Sequence, residues 1–151
     1  MTRPSEKGKQ AMKNLEQIRA QHALEFWDES KPTPAKGRAR LKEVKGENGG
    51  DVVRGLSSLL INNGLLATIA FAKEKGKGYD TFIKEIGRYL GSAGDTGRKL
   101  LPQTVATLDQ FVSVLTAHDS ELLQQSTSEA LAYLAFLKRF APPKEKNHQA
   151  R

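Results

Sequence analysis

The stretch LLINNGLLATIAF, Leu59 to Phe71, decides the fold. Asn62-Asn63-Gly64 sits inside the most apolar run of the chain, and Asn-Gly between apolar residues is the strongest short-range signal for a β-hairpin. A hairpin needs two-residue alternation on both flanks. The flanks DVVRGLSSLLI and LLATIAFAKEK instead repeat every three or four residues, as helices do. With Asp51 as N-cap, Val52, Leu56, Leu60, Asn63, Ala67 and Ala70 hold helical phase straight through the triplet. A glycine inside a helix costs about 1 kcal/mol relative to alanine. Gly64, with Thr68 one turn on, is therefore expected where a second helix packs too close for a side chain. The alternative is a break at Gly64 that leaves two helices at an angle.

Working outward, the same periodicity recurs. From Glu6 to Glu29 a stripe of Ala11, Leu15, Ile18, His22 and Phe26 predicts one long helix. After Gly76 and Gly78, Asp80 caps a short helix carrying Phe82, Ile83, Ile86, Tyr89 and Leu90. Pro102 precedes a helix through Val105, Leu108, Phe111, Val112 and Leu115. His118-Asp119 marks a turn, and a last helix begins near Ser120 with Leu122, Leu123, Ala130, Tyr133, Leu134 and Leu137 before Pro142-Pro143 stop it. The fold class that follows is all-α: a single compact helical bundle of about five or six helices over residues 1–151. It carries a flexible basic loop at 30–50 and a flexible tail at 142–151.

With 151 residues the chain is one domain, able to bury its own core. It has no cysteine, which removes disulfides, zinc–thiolate sites and thiol nucleophiles. No apolar run approaches the ~20 residues of a membrane helix, and MTRPSEKGKQ lacks the apolar core of a secretion signal. The expectation is a cytoplasmic protein with no membrane contact.

The net charge of +7 is unevenly spread. Residues 1–13 carry +3 and 14–29 carry −3, so the first helix is polarised along its length. Residues 30–50 and 138–151 carry +4 each, and 51–137 only −1. The basicity belongs to a loop and two tails, which suits a phosphate backbone; each neutralised phosphate would steepen the salt dependence by about 0.7 to 0.9 log units per log salt. No aromatic residue is interleaved in 30–50, so base stacking is not expected there.

Sites for chemistry fail one after another. GSAGDTGRK (residues 91–99) has five residues between Gly91 and Gly97 where a phosphate-binding P-loop has four, and a helix before it where a P-loop has a strand. His22, His118 and His148 form no pair at metal-binding spacing. Asp119, Glu121 and Glu129 read as carboxylates favoured by a helix start rather than as an acid/base pair. No catalytic residue, metal or cofactor is expected.

Three blocks carry a resemblance: LEQIRAQHALEF, LINNGLLATIAFAKEK and STSEALAYLAFLKRFA. In this order they resemble the small subunit of the type III-B CRISPR ribonucleoprotein, the Cmr effector complex. The match lies in Asn63-Gly64-Leu65 followed by a small-residue helix ending in lysines, and in Thr127-x-Glu129-Ala130-Leu131 with the ending Leu137-Lys138-Arg139-Phe140-Ala141. Two departures are Leu123-Gln124-Gln125, where the family often has an aromatic and basic residues, and Phe136, where it often has Trp.

The resemblance implies an all-α, non-enzymatic subunit used in antiviral defence. It would stack in several copies along the complex, with other Cmr subunits, further copies of itself, guide RNA and target RNA as partners. The RNA contacts expected are Arg38, Arg40, Lys42 and Lys45 in the loop, then Arg54, Lys73, Lys138 and Arg139. Asn62 and Asn63 have two readings: a structural pair, the preferred one, whose amides satisfy backbone or helix ends because a buried unpaired amide costs about 1 to 3 kcal/mol, or an exposed functional pair that grips a sugar-phosphate or a stacked neighbour. Tyr79, Tyr89 and Tyr133 are read as helix-packing residues rather than base-stacking platforms. The rival reading is a helical adaptor that binds an acidic protein without nucleic acid.

Overall fold

A computed structural model of the chain describes residues 14–28, 49–76, 78–91 and 100–141, and of 49–51 the backbone alone. Outside the described residues lie the first turns expected from Glu6, the basic stretch 29–48, residues 92–99 of GSAGDTGRK and the tail 142–151. The described residues form six helices and no strand: α1 (Leu15–Trp27), α2 (Gly49–Asn63), α3 (Leu65–Lys75), α4 (Tyr79–Gly91), α5 (Leu108–Ala117) and α6 (Ser120–Arg139). The all-α fold expected from periodicity is the one observed.

At the opening stretch the hairpin is absent and the uninterrupted helix is corrected. Gly64 has φ +92° and ψ 169°, a backbone region essentially reserved for glycine. The reason given for the glycine is also corrected, because a Cβ at Gly64 would meet no atom within 4 Å. Its backbone is the constraint. Gly64 N–H donates to Leu60 O at 3.0 Å, and Gly64 O accepts from the N–H of Thr68 at 3.1 Å and its hydroxyl at 2.7 Å, so one residue ends α2 and starts α3. The kink resets the helical phase: Val52, Val53, Leu56 and Leu60 are buried on α2, but Leu65, Thr68, Ile69 and Ala72 on α3, while Asn63, Ala67 and Ala70 are exposed.

Other boundaries move for identifiable reasons. Asn14 is extended and exchanges hydrogen bonds with Gln17, Asn14 Oδ1 accepting at 2.9 Å and Gln17 Oε1 at 3.0 Å, so α1 starts at Leu15 rather than running unbroken from Glu6. Helix α2 includes Gly49 and Gly50, which the sequence assigns to the loop at 30–50, and Asp51 is inside it rather than at its cap. Asp80 likewise lies in the first turn of α4. Residues 101–107 are not helical, and Thr107 with Gln110 builds the capping box that starts α5. Asp119 caps α6, its Oδ1 accepting from Leu122 N–H at 3.1 Å.

Helix α4 is the centre, packed against α2, α3, α5 and α6, with α1 lying on α6. Nine of its 13 residues are buried, including Phe82, Ile83, Ile86, Tyr89 and Leu90. The close approach expected at Gly64 occurs here instead. A Cβ at Gly91 would lie 2.6 Å from Gln103 O, and one at Gly87 3.0 Å from Val105 Cγ1, so two glycines one turn apart let the 101–107 segment cross α4.

Candidate nucleic-acid interface

The most ordered chemistry is internal. Two stretches, Glu85-Ile-Gly-Arg-Tyr89-Leu on α4 and Glu129-Ala-Leu-Ala-Tyr133-Leu on α6, share the spacing Glu-x-x-x-Tyr-Leu. Each tyrosine donates to the other helix's carboxylate: Tyr89 Oη to Glu129 Oε2 at 2.7 Å, and Tyr133 Oη to Glu85 Oε2 at 2.6 Å. Each carboxylate is also gripped bidentately by arginine. Arg19 Nε and Nη2 donate to Glu129 at 2.8 Å each, and Arg88 Nε and Nη2 to Glu85 at 2.8 and 2.7 Å.

The bond to Glu129 raises the Arg19 guanidinium above its ordinary value. Burial works against the charge of Arg88, but the bond and charge of Glu85 outweigh it and the guanidinium is raised. Burial, reinforced by the charge of Glu85, holds the Tyr133 hydroxyl well above its usual range. His22 Nδ1 lies 3.0 Å from Arg88 Nη2; arginine can only donate, so this nitrogen accepts.

Glu129, grouped in sequence with Asp119 and Glu121 at a helix start, is therefore corrected: it is buried in mid-helix and committed to Arg19 and Tyr89. Asp119 and Glu121 do occupy the start of α6. Each of the two buried carboxylates of this core is held by one arginine and by the tyrosine of the other helix. Among the described residues no three His, Asp or Glu side chains are grouped to hold a metal ion, and no helix is long and apolar enough to cross a membrane.

The surface holds the predicted contacts that fall within the described residues. Arg54 is exposed on α2, and Lys138 and Arg139 are exposed in the last turn of α6, where cations favour the helix C-terminus. Lys73 is exposed in the last turn of α3, with its ammonium 2.6 Å from Asp109 Oδ1 on α5. Both side chains of this pair are more than half exposed, so it is weak and open to exchange. Arg38, Arg40, Lys42 and Lys45 lie outside the described residues.

The fold brings one end of α1 to the last turn of α6: Trp27 Nε1 donates to Leu137 O at 2.9 Å. Lys138 and Arg139 thus stand beside the helix end from which the chain enters its basic stretch. The structural reading of Asn62 and Asn63 is corrected, since both are exposed beside an exposed Ile61 and make no side-chain hydrogen bond among the described residues. Lys75, missed in the sequence, sits 5.9 Å from the Phe71 ring centroid and 5.8 Å from that of Tyr79. Its position two residues from Lys73 in the same helix turn is the available signal.

The chain is thus an all-α protein with an internally paired ionic core and exposed cations on its helices. The profile of the family described as CRISPR-associated protein (Cas_Cmr5) matches residues 15–143, and the chain belongs to that family of type III-B CRISPR-associated subunits. No curated protein and no solved structure matches the chain.

Proposed function

We propose that this chain is a non-catalytic structural subunit of a type III-B CRISPR ribonucleoprotein. It stacks in several copies along the complex and helps to hold the guide RNA/target RNA duplex through basic residues, in antiviral defence. Family membership supplies the setting. The observation that carries the RNA contact is the exposure of Arg54, Lys73, Lys138 and Arg139, while the buried arginine–carboxylate pairs are spent on the core. Arg38, Arg40, Lys42 and Lys45 extend the same positive charge in sequence. Its partners on this reading are other Cmr subunits, further copies of itself, and both RNAs.

The test is purification of the tagged chain from its own cells, followed by RNA retention across several salt concentrations. A multi-subunit particle with short guide RNAs is expected. Replacing the six lysines and arginines of residues 30–50 by serine should flatten the salt dependence, by about 0.7 to 0.9 log units per log salt for each phosphate no longer neutralised. Recovery of one acidic protein without RNA would replace this reading with the adaptor.

A further inference from the structure

Tyr89 and Tyr133 are fully buried, but Tyr79 is not. It opens α4 half-exposed, and its ring meets the half-exposed Phe71 of α3 edge-on, centroids 5.2 Å apart at 87°. Across it on α2 stands Gly55, where even an added Cβ would come no nearer than 3.7 Å to Tyr79 Cε1 and Oη. That edge of the ring thus lies against Gly55 of α2. Among the described residues the Tyr79 hydroxyl has no hydrogen-bond partner and Lys75 no carboxylate partner; the lysine's contacts are the two rings. The cation at the aromatic pair, among the described residues, is Lys75 alone: Lys73, two residues earlier, turns to Asp109 of α5.

We propose that Phe71, Lys75 and Tyr79 form a seat for a single unpaired RNA base, a deepening that rests on the RNA-contact reading above. Lys75 occupies the seat in the free chain and moves to the flanking phosphate when a base arrives. Relative magnitudes favour the exchange: an exposed lysine–ring contact changes an equilibrium constant by about two- to fivefold, whereas a base stacked on an aromatic side chain changes it by about five- to 150-fold. The displaced ammonium gains a phosphate in place of the rings. A seat of this kind discriminates unpaired from paired RNA, since bases inside a duplex present no free face.

The test uses the full-length chain with single-stranded oligouridine and, separately, a blunt RNA duplex of equal length. Tyr79→Leu, which keeps apolar volume, should weaken oligouridine binding at least about fivefold and leave the duplex unchanged. Lys75→Ser should lower the salt slope for oligouridine by about 0.7. In the wild-type chain, oligouridine carrying 5-iodouridine should photo-cross-link to the segment holding Phe71 and Tyr79, a readout that does not depend on whether a variant folds.

Wild-type binding by a folded Tyr79→Leu, equal loss on both RNAs, or cross-links confined elsewhere would overturn the seat. So would the same segment cross-linking to a protein subunit in the assembled complex and never to RNA. A Lys138→Ser/Arg139→Ser variant separates the two readings. If it weakens both RNAs while Tyr79→Leu weakens neither, RNA contact stands and the seat falls; if the wild-type chain binds neither RNA, alone or assembled, both fall.

Discussion

The rings of Tyr89 and Tyr133 stack with centroids 4.0 Å apart and planes 15° from parallel, at the crossing of α4 and α6. Aromatic pairs left to themselves prefer offset or edge-to-face geometry. Here each hydroxyl is drawn to the carboxylate one turn before the other ring, which holds the two faces together. The arrangement clasps α1, α4 and α6, since Arg19 closes one half and Arg88 the other.

Removing parts of this clasp should produce graded losses. Tyr133→Phe deletes one hydrogen bond to a charged acceptor and should lower unfolding free energy by about 1 to 3 kcal/mol. Glu85→Ala leaves Arg88 with only the neutral His22 nitrogen as acceptor and strands the buried Tyr133 hydroxyl, and should lower it by about 3 to 5 kcal/mol. Urea unfolding of both variants checks the order; equal losses would mean that the Arg88–Glu85 pair adds nothing beyond the tyrosine bond.

The same clasp makes stability fall in alkali. Unfolded, Tyr133 titrates near 10.0; folded, it keeps its proton well above that. Between the two values the folded chain binds more protons than the unfolded one, so stability decreases as pH rises. The contribution is complete below about pH 10 and disappears through the folded value, with a slope of at most about 1.4 kcal/mol per pH unit for one proton. Melting curves from pH 8 to 11 should show a steeper decline for the wild-type chain than for Tyr133→Phe.

The helices are legible in the sequence because their burial is periodic: Phe82, Ile83, Ile86, Tyr89 and Leu90 read as one core face and are one. The clasp is not legible, although Glu-x-x-x-Tyr-Leu is written twice. A charged residue on a helix is ordinarily solvated, and only the tertiary crossing tells Glu129 from Glu121. The glycines fail for a related reason. A glycine kept for φ +92° and one kept because Gln103 O lies too close look alike in one sequence, so the explanation expected at Gly64 belongs to Gly91. Of the proposed RNA contacts, Lys138 and Arg139 are legible from their place at a helix end, whereas the pairing of Lys75 with the Phe71 and Tyr79 rings needs the folded chain.

Alanine at three glycines should separate these causes. Gly64→Ala forces a side chain into strained backbone and should destabilise by about 1 to 3 kcal/mol without any steric contact. Gly91→Ala should destabilise by a similar amount, about 1 to 3 kcal/mol, through overpacking against Gln103 and Thr104. Gly55→Ala meets only ordinary contact with Tyr79 and should be neutral or slightly stabilising, by up to about 1 kcal/mol, as alanine suits a helix interior better. Thermal melts of the three, with crystal structures of the first two, would show whether the backbone at 64 or the 101–107 segment has moved.

Trp27 tests whether the end of α6 is held from outside. Its indole N–H reaches the carbonyl of Leu137 in the final turn, where helix carbonyls lack intrahelical donors. The ring itself packs edge-on against Phe26 and Phe82, so Trp27→Phe keeps most of the aromatic packing and removes the bond. A stability loss of about 1 to 3 kcal/mol is expected, but the sharper readout is local. Amide exchange should quicken in the last turn of α6, around Leu137 to Arg139, more than in the middle of the helix. On the proposed RNA-contact reading of Lys138 and Arg139, which ride on that turn, a loosened end should also weaken RNA retention without removing any charge. Uniform acceleration along α6 would instead mean that Trp27 acts only through the core.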